Sequence, residues 1–72
     1  MSNETFRMVR MYLKLTQQEF ADYLDVAYST VYGIEAGNRR VTDTVHSKVA
    51  RKFKVTNEFI EFAERVKRLE GI

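Results

Sequence analysis

Few residues in this 72-residue chain are of types that could do catalytic or metal chemistry. The chain has no cysteine and only one histidine, His46, which excludes thiolate metal sites and most zinc sites. Ser29 has no histidine or lysine base beside it, so the sequence does not support a serine nucleophile. Glu58, Glu61 and Glu64 are spaced three apart, and we interpret them as the solvated face of a helix. We therefore expect no enzyme activity, no metal, no cofactor and no small-molecule ligand.

Positive charge is the second candidate chemistry, because it is clustered along the chain. The formal net charge is only +2. Residues 39–54 nevertheless contain a single acid, Asp43, against these basic residues: Arg39, Arg40, Lys48, Arg51, Lys52 and Lys54. A second basic group lies near the N-terminus and consists of Arg7, Arg10 and Lys14. Either cluster could be an ordinary solvated helix surface or could meet a polyanion such as nucleic acid, and charge alone leaves both open.

The elements that must position these residues are predicted to be helices throughout. The chain has no proline and only three glycines. The clearest local signal is the segment from Thr16 to Glu19, which has the pattern of a capping box: the Thr16 hydroxyl accepts from the Glu19 amide, and the Glu19 side chain returns the bond. Leu15 and Phe20 are placed to form a hydrophobic staple at the same helix start.

The spacing of apolar residues predicts five helical segments in one all-α domain spanning residues 1–72. We expect them to run from Ser2 or Asn3, after Thr16, from Tyr28 to Ala36, from Thr42 or Asp43, and from Asn57 to about Leu69. Gly37 is placed to end the third helix in a left-handed conformation. We expect His46 to be a structural residue on the inner side of the fourth helix, with Val45, Val49, Ala50 and Phe53.

The last predicted helix carries more apolar surface than a small domain can cover. A core-facing stripe is typically about 100° wide. The apolar residues of this helix cover about half of its circumference, and they are Phe59, Ile60, Phe62, Ala63, Val66 and Leu69. We interpret the excess as the interface of a symmetric homodimer, formed by Phe59, Phe62, Val66 and Leu69. The alternative is a few exposed hydrophobic residues at a fraying terminus.

The segment from Leu15 to Arg40 resembles the helix-turn-helix of the Cro and phage-repressor type, the lambda-repressor-like or XRE family. The residues that carry the resemblance are Leu15 to Ala21, Leu24, Val26, Ser29 to Val31, Ile34, Glu35 and Gly37. The resemblance implies a compact five-helix DNA-binding domain. Helices two and three would form the helix-turn-helix at about residues 16–36, and the last helix would occupy about residues 57–69. It implies double-stranded DNA as the partner.

The resemblance also implies which residues meet the DNA. Base-reading or groove-facing positions match Tyr28, Ser29, Thr30, Tyr32 and Gly33. Phosphate-contacting positions match Gln17, Arg10, Asn38, Arg39 and Arg40. The positions of Arg10 and Glu35 pair as a salt bridge in relatives, so Arg10 could instead join the first helix to the end of the third. Gly33 could allow a close approach of the backbone to DNA.

Three departures from the family pattern stand out. Asp25 replaces the usual glycine of the turn, and aspartate tolerates a left-handed backbone better than most residues. Ala27 replaces the usual serine or threonine cap of the third helix, which loses roughly 1 kcal/mol of capping. The reading face of that helix has no arginine, lysine, asparagine or glutamine, the side chains that make strong bidentate base contacts.

Two functions therefore stay open. The first is a sequence-specific transcription regulator, a repressor that binds a palindromic operator as a homodimer. The second is a protein-interaction module, such as an antitoxin or a regulatory partner of another repressor, in which Tyr28 and Tyr32 would anchor a protein partner. No apolar run approaches the roughly 20 residues that span a bilayer, and the N-terminus does not resemble a signal peptide. We therefore expect a cytoplasmic protein with no membrane partner.

Overall fold

The computed structural model describes residues 1–71, which form five helices. They are α1 (Asn3–Tyr12), α2 (Gln17–Leu24), α3 (Tyr28–Glu35), α4 (Asp43–Lys52) and α5 (Asn57–Glu70). Residues 1–71 contain no strand. The predicted all-α class and the predicted helix starts are confirmed.

The helix starts show why these segments fold as they do. Ser2, Thr16, Thr42 and Thr56 each precede a helix, and each hydroxyl accepts a hydrogen bond from the amide three residues later. The predicted capping box of α2 is complete, because the Thr16 amide also donates to Glu19 Oε1 at 2.8 Å. Helix α3 alone begins without a side-chain cap, at Ala27.

The turn between α2 and α3 depends on one left-handed residue. Asp25 has φ 56° and ψ 54°, so aspartate adopts the left-handed conformation for which the family pattern has glycine. The Val26 amide then donates to the Ala21 carbonyl at 3.0 Å, and Ala21 is fully buried where the two helices meet. The left-handed residue predicted after α3 is also confirmed, since Gly37 has φ 81°.

The core lies mainly among the first three helices. Its buried side chains are Phe6, Met8, Val9, Phe20, Ala21, Leu24, Val31, Ile34, Val45, Val49 and Phe59. Eight of them come from α1–α3 and only three from α4 and α5. Helix α3 packs against both α1 and α2, so its orientation is set by two neighbours.

The prediction that His46 and Ala50 face inward is wrong. Both are exposed, because α4 packs along the edge formed by Val45 and Val49. Each residue that follows an inward residue points about 100° away around a helix, and these two therefore leave the core. They line an open apolar groove with Phe53 and neighbouring residues of the N-terminus and α5.

Candidate nucleic-acid interface

One face of α3 is turned outward by the packing of the opposite face. Val31 and Ile34 are buried, which leaves Tyr28, Ser29 and Tyr32 exposed. Tyr28 is 45% exposed and Tyr32 is 53% exposed, and their rings stack with centroids 6.1 Å apart. The helix therefore offers two aromatic rings and three hydroxyl groups to a partner.

A part-buried ion pair holds α3 to α1. Arg10 Nε and Nη2 donate to the two carboxylate oxygens of Glu35 at 2.6 and 2.7 Å, and Arg10 Nη1 donates to the Leu15 carbonyl at 2.9 Å. The side chains of Arg10 and Glu35 are only 18% and 6% exposed. This bidentate pair fixes the end of α3, and the sequence had left it as one of two alternatives.

The same pair removes Arg10 from the candidate phosphate contacts. Its charge is neutralised by Glu35, and the hydrogen bonds to Glu35 raise the pKa of Arg10 against the opposing effect of burial. A raised pKa means that the stabilisation is present below the ordinary arginine pKa and is lost only in strongly alkaline solution. Arg10 thus serves the fold as a charged clamp at every physiological pH.

Gln17 connects the Arg10–Glu35 pair to the start of α3 through two hydrogen bonds. Its Nε2 donates to Glu35 Oε1 at 3.2 Å, and the Tyr28 hydroxyl donates to its Oε1 at 3.4 Å. Four side chains are therefore linked in series from α1 to the exposed face of α3: Arg10, Glu35, Gln17 and Tyr28. The links through Gln17 were missed by sequence reasoning, because they depend on the crossing of α2 and α3.

Gly33, which is predicted to face the groove and to allow a close approach of the backbone to DNA, is covered in the structure by a side chain of the loop after α3. It is buried, and the atoms nearest to where a Cβ would lie are Cδ, Cγ and Nε of Arg39, at 2.9, 3.0 and 3.2 Å. The Arg39 side chain also donates from Nη1 to Thr30 Oγ1 at 3.3 Å. The loop arginine therefore lies along α3 and covers its glycine.

The backbone of the loop after α3 is held from both sides. The amides of Asn38 and Arg39 both donate to the Gly33 carbonyl, at 2.8 and 3.1 Å. Asn3 Nδ2 donates to the carbonyls of Ile34 and Arg39, at 3.1 and 2.7 Å. Sequence reasoning missed the role of Asn3, since nothing local connects it with a residue 36 positions away.

The predicted basic cluster divides in the structure. Arg39 and Arg40 are exposed in the loop beside α3. Lys48, Arg51 and Lys52 line a shallow depression at the end of α2, and Lys48 Nζ donates to the Asp25 carbonyl at 2.7 Å. Two of the three basic residues near the N-terminus form ion pairs with acids of the same chain: Arg7 contacts Glu70 at 3.2 Å, and Arg10 contacts Glu35.

The four residues expected at a dimer interface differ in exposure. Phe59 is 5% exposed and packs in the chain's own core, with ring centroids 4.9 Å from Phe53 and 5.4 Å from Tyr12. Its ring is therefore not available to a second chain, which corrects that expectation. Phe62 and Val66 are half-buried, and Leu69 is 70% exposed.

Two further structural findings concern residues 1–71 alone. No helix among them has the length and apolar character needed to cross a membrane. Within the same range, no three histidine, cysteine or acidic side chains come together as a metal site would require.

Comparison with known proteins adds one match. A family model described as helix-turn-helix matches residues 6–58, well over half of the 72 residues. The matched segment runs from within α1 to the beginning of α5, and so includes all of α2, α3 and the loop that follows. Searches of curated proteins and of solved structures gave no match.

Proposed function

We propose, from the premise that the chain belongs to the helix-turn-helix family of the Cro and phage-repressor type, that it is a sequence-specific repressor of transcription. The family is one of DNA-binding transcription regulators. In the proposal, the chain acts as a homodimer on a palindromic operator, in the cytoplasm, and catalyses no reaction.

The observation that carries the proposal is the fixed, outward face of α3. A helix that reads the major groove must present its side chains in one orientation. Buried contacts with α1 and α2 hold α3, and the Arg10–Glu35 pair holds its end. The hydroxyls of Tyr28, Ser29 and Tyr32 can bond to base edges, and the tyrosine rings can contact thymine methyl groups.

Phosphate contacts are proposed at the two ends of this face. Asn38 and Arg40 are exposed in the loop after α3. Gln17 is the first residue of α2 and accepts from the Tyr28 hydroxyl at the start of α3. Thr30 lies inside α3 beside Arg39 and keeps its expected place among the groove-facing residues. Phosphate contacts set the register on the duplex and supply most of the salt-dependent affinity.

The homodimer is proposed to form through one side of α5, on which Leu69 is exposed and Phe62 and Val66 are half-buried. Phe62, Val66 and Leu69 follow one another at spacings of four and three residues, so they share one side of the helix. A two-fold dimer would place two copies of α3 on two half-sites of a palindrome.

Selection from random double-stranded DNA tests this proposal. We expect the wild-type chain to enrich a short palindromic sequence. Tyr32→Ala should change the base preference at one or two positions in each half-site, because it removes a groove-facing ring. Arg40→Ala should keep the selected sequence, weaken binding to all DNA and reduce the salt slope by roughly 1.

A matched control is Lys67→Ala, which also removes one positive charge, from an exposed side chain on the side of α5 opposite to Phe62 and Leu69. Its affinity should be close to that of the wild type. Enrichment of no sequence by the wild-type chain would contradict the proposal.

A second function, a protein-interaction module such as an antitoxin or a regulatory partner of another repressor, is favoured by one observation. The exposed face of α3 carries two large aromatic residues and no charged side chain. Aromatic residues are enriched where protein interfaces bind most tightly. A stoichiometric protein partner that is lost in a Tyr28→Ala variant, together with only nonspecific DNA binding, would favour this function over the first.

A further inference from the structure

Helix α3 lacks the side chains that usually discriminate between base pairs. Its sequence is Tyr-Ser-Thr-Val-Tyr-Gly-Ile-Glu, and the exposed members of its outer face are Tyr28, Ser29 and Tyr32. A hydroxyl forms a single hydrogen bond that several bases can satisfy, whereas a guanidinium or amide forms a bidentate pair with one base. If α3 reads sequence, a guanidinium or amide group from outside the helix would supply the discrimination between bases that its own side chains lack.

Gly33 occupies the position where that group is missing. It follows Ser29 by four residues, so the two positions are neighbours on the same side of the helix. The space that a side chain of residue 33 would occupy is filled by Cγ, Cδ and Nε of Arg39. The Arg39 side chain therefore lies on the surface of α3 in the space that a side chain of residue 33 would occupy.

The arginine is held in this place at three points. Its amide donates to the Gly33 carbonyl at 3.1 Å, its carbonyl accepts from Asn3 Nδ2 at 2.7 Å, and its Nη1 donates to Thr30 Oγ1 at 3.3 Å. The side chain remains exposed. A guanidinium has five N–H donors, so most of them stay available to a ligand.

The neighbouring arginine is not held in this way. Within residues 1–71, the Arg40 side chain makes no hydrogen bond or ion pair and is exposed. A long, exposed side chain without a partner in the chain is suited to a phosphate, which accepts hydrogen bonds from many directions. A side chain fixed against the reading helix is suited to a base edge, because ordering it on binding costs less entropy.

We propose that Arg39 is a specificity-determining residue, which crosses Gly33 and presents its guanidinium to O6 and N7 of a guanine in the major groove. Gly33 is required for this placement of Arg39, because any side chain at position 33 would displace the aliphatic part of the arginine side chain. The proposal rests on the proposed function, and it moves Arg39 from the phosphate contacts to the base contacts.

The test is the selection from random DNA, repeated with variants of the loop. Arg39→Ala should lose the preference for one guanine per half-site by about 10- to 100-fold, the value of one bidentate contact. Arg39→Lys keeps the charge and should weaken the same preference less than Arg39→Ala does, because an ammonium group can also donate to O6 and N7 of guanine but lacks the planar fork of a guanidinium. Arg40→Ala is the matched control and should select the wild-type sequence with uniformly weaker binding.

Gly33→Ala tests whether the placement of Arg39 over Gly33 matters, while all charges of the loop are kept. Its added Cβ should displace Arg39 and cost the same guanine preference, while thermal unfolding occurs at or above the wild-type temperature, because alanine favours a helix more than glycine does. Selection of one unchanged sequence by the wild type, Arg39→Ala and Arg39→Lys would overturn the inference and leave the proposed function standing. Selection of no sequence by the wild type would overturn both.

Discussion

The two parts of this molecule are packed to different degrees. Helices α1–α3 supply eight of the eleven buried residues and enclose the Arg10–Glu35 pair, whereas α4 and α5 supply three. Helix α5 leaves Ile60 and Leu69 exposed, and its ion pair with α1, Arg7–Glu70, is open to solvent. The tighter packing therefore surrounds the helix that we propose to read DNA. Leu69, the most exposed of the large apolar side chains, lies on the helix that we propose to meet a second chain.

The largest effect on stability is expected from breaking the part-buried ion pair. Glu35→Ala should lower the free energy of unfolding by about 2 kcal/mol, because it leaves the part-buried guanidinium of Arg10 without its carboxylate partner. Removing Glu70 from the exposed pair, which is 42% and 48% exposed, should cost less than about 1 kcal/mol. Urea denaturation of both variants measures the two changes in the free energy of unfolding. Equal losses of stability would contradict the difference in packing between α1–α3 and the last two helices.

The next largest effect concerns the uncovered surface of α5. Leu69→Lys should weaken homodimer formation by about tenfold or more, since burial of one leucine side chain is worth about 2 kcal/mol. Ile60→Lys is a matched control on the opposite side of α5, nine residues away in the chain, and should leave the dimer unchanged. Sedimentation equilibrium measures both, and a wild-type chain that is monomeric at all concentrations would contradict the proposed dimer.

The smallest effect concerns the one helix that begins without a cap. Ala27→Ser should raise the free energy of unfolding by up to about 1 kcal/mol, because its hydroxyl can accept from the amide of Ser29 and can share the amide of Thr30, which already donates to the residue-27 carbonyl at 3.0 Å. Thr56→Ala is the converse change at α5 and should lower it by about the same amount. Thermal or urea unfolding measures both, and a serine variant no more stable than the wild type would indicate that the start of α3 is already satisfied.

Local features of this protein were predictable, and contacts between distant residues were not. The capping box at Thr16 and the left-handed residues Asp25 and Gly37 depend on a few neighbouring residues, so their sequence patterns sufficed. The inward placement of His46 failed because apolar periodicity does not say which edge of a helix meets the core.

The same limit applied to the candidate site. The exposed face of α3 at Tyr28 and Tyr32 followed from the buried positions of Val31 and Ile34. The cover over Gly33 did not, because it depends on a loop side chain whose backbone is held by Asn3, 36 residues earlier. A glycine inside a short helix was the only sequence signal that something else fills that space.

A competition titration shows whether the face of α3 reads DNA sequence. The purified wild-type chain would be titrated against the DNA upstream of its own coding sequence, with unrelated DNA of equal length as competitor, at about physiological salt. We expect a preference for the upstream DNA by a factor of roughly 10³ or more. Equal, weak and salt-sensitive binding to both DNAs would contradict it.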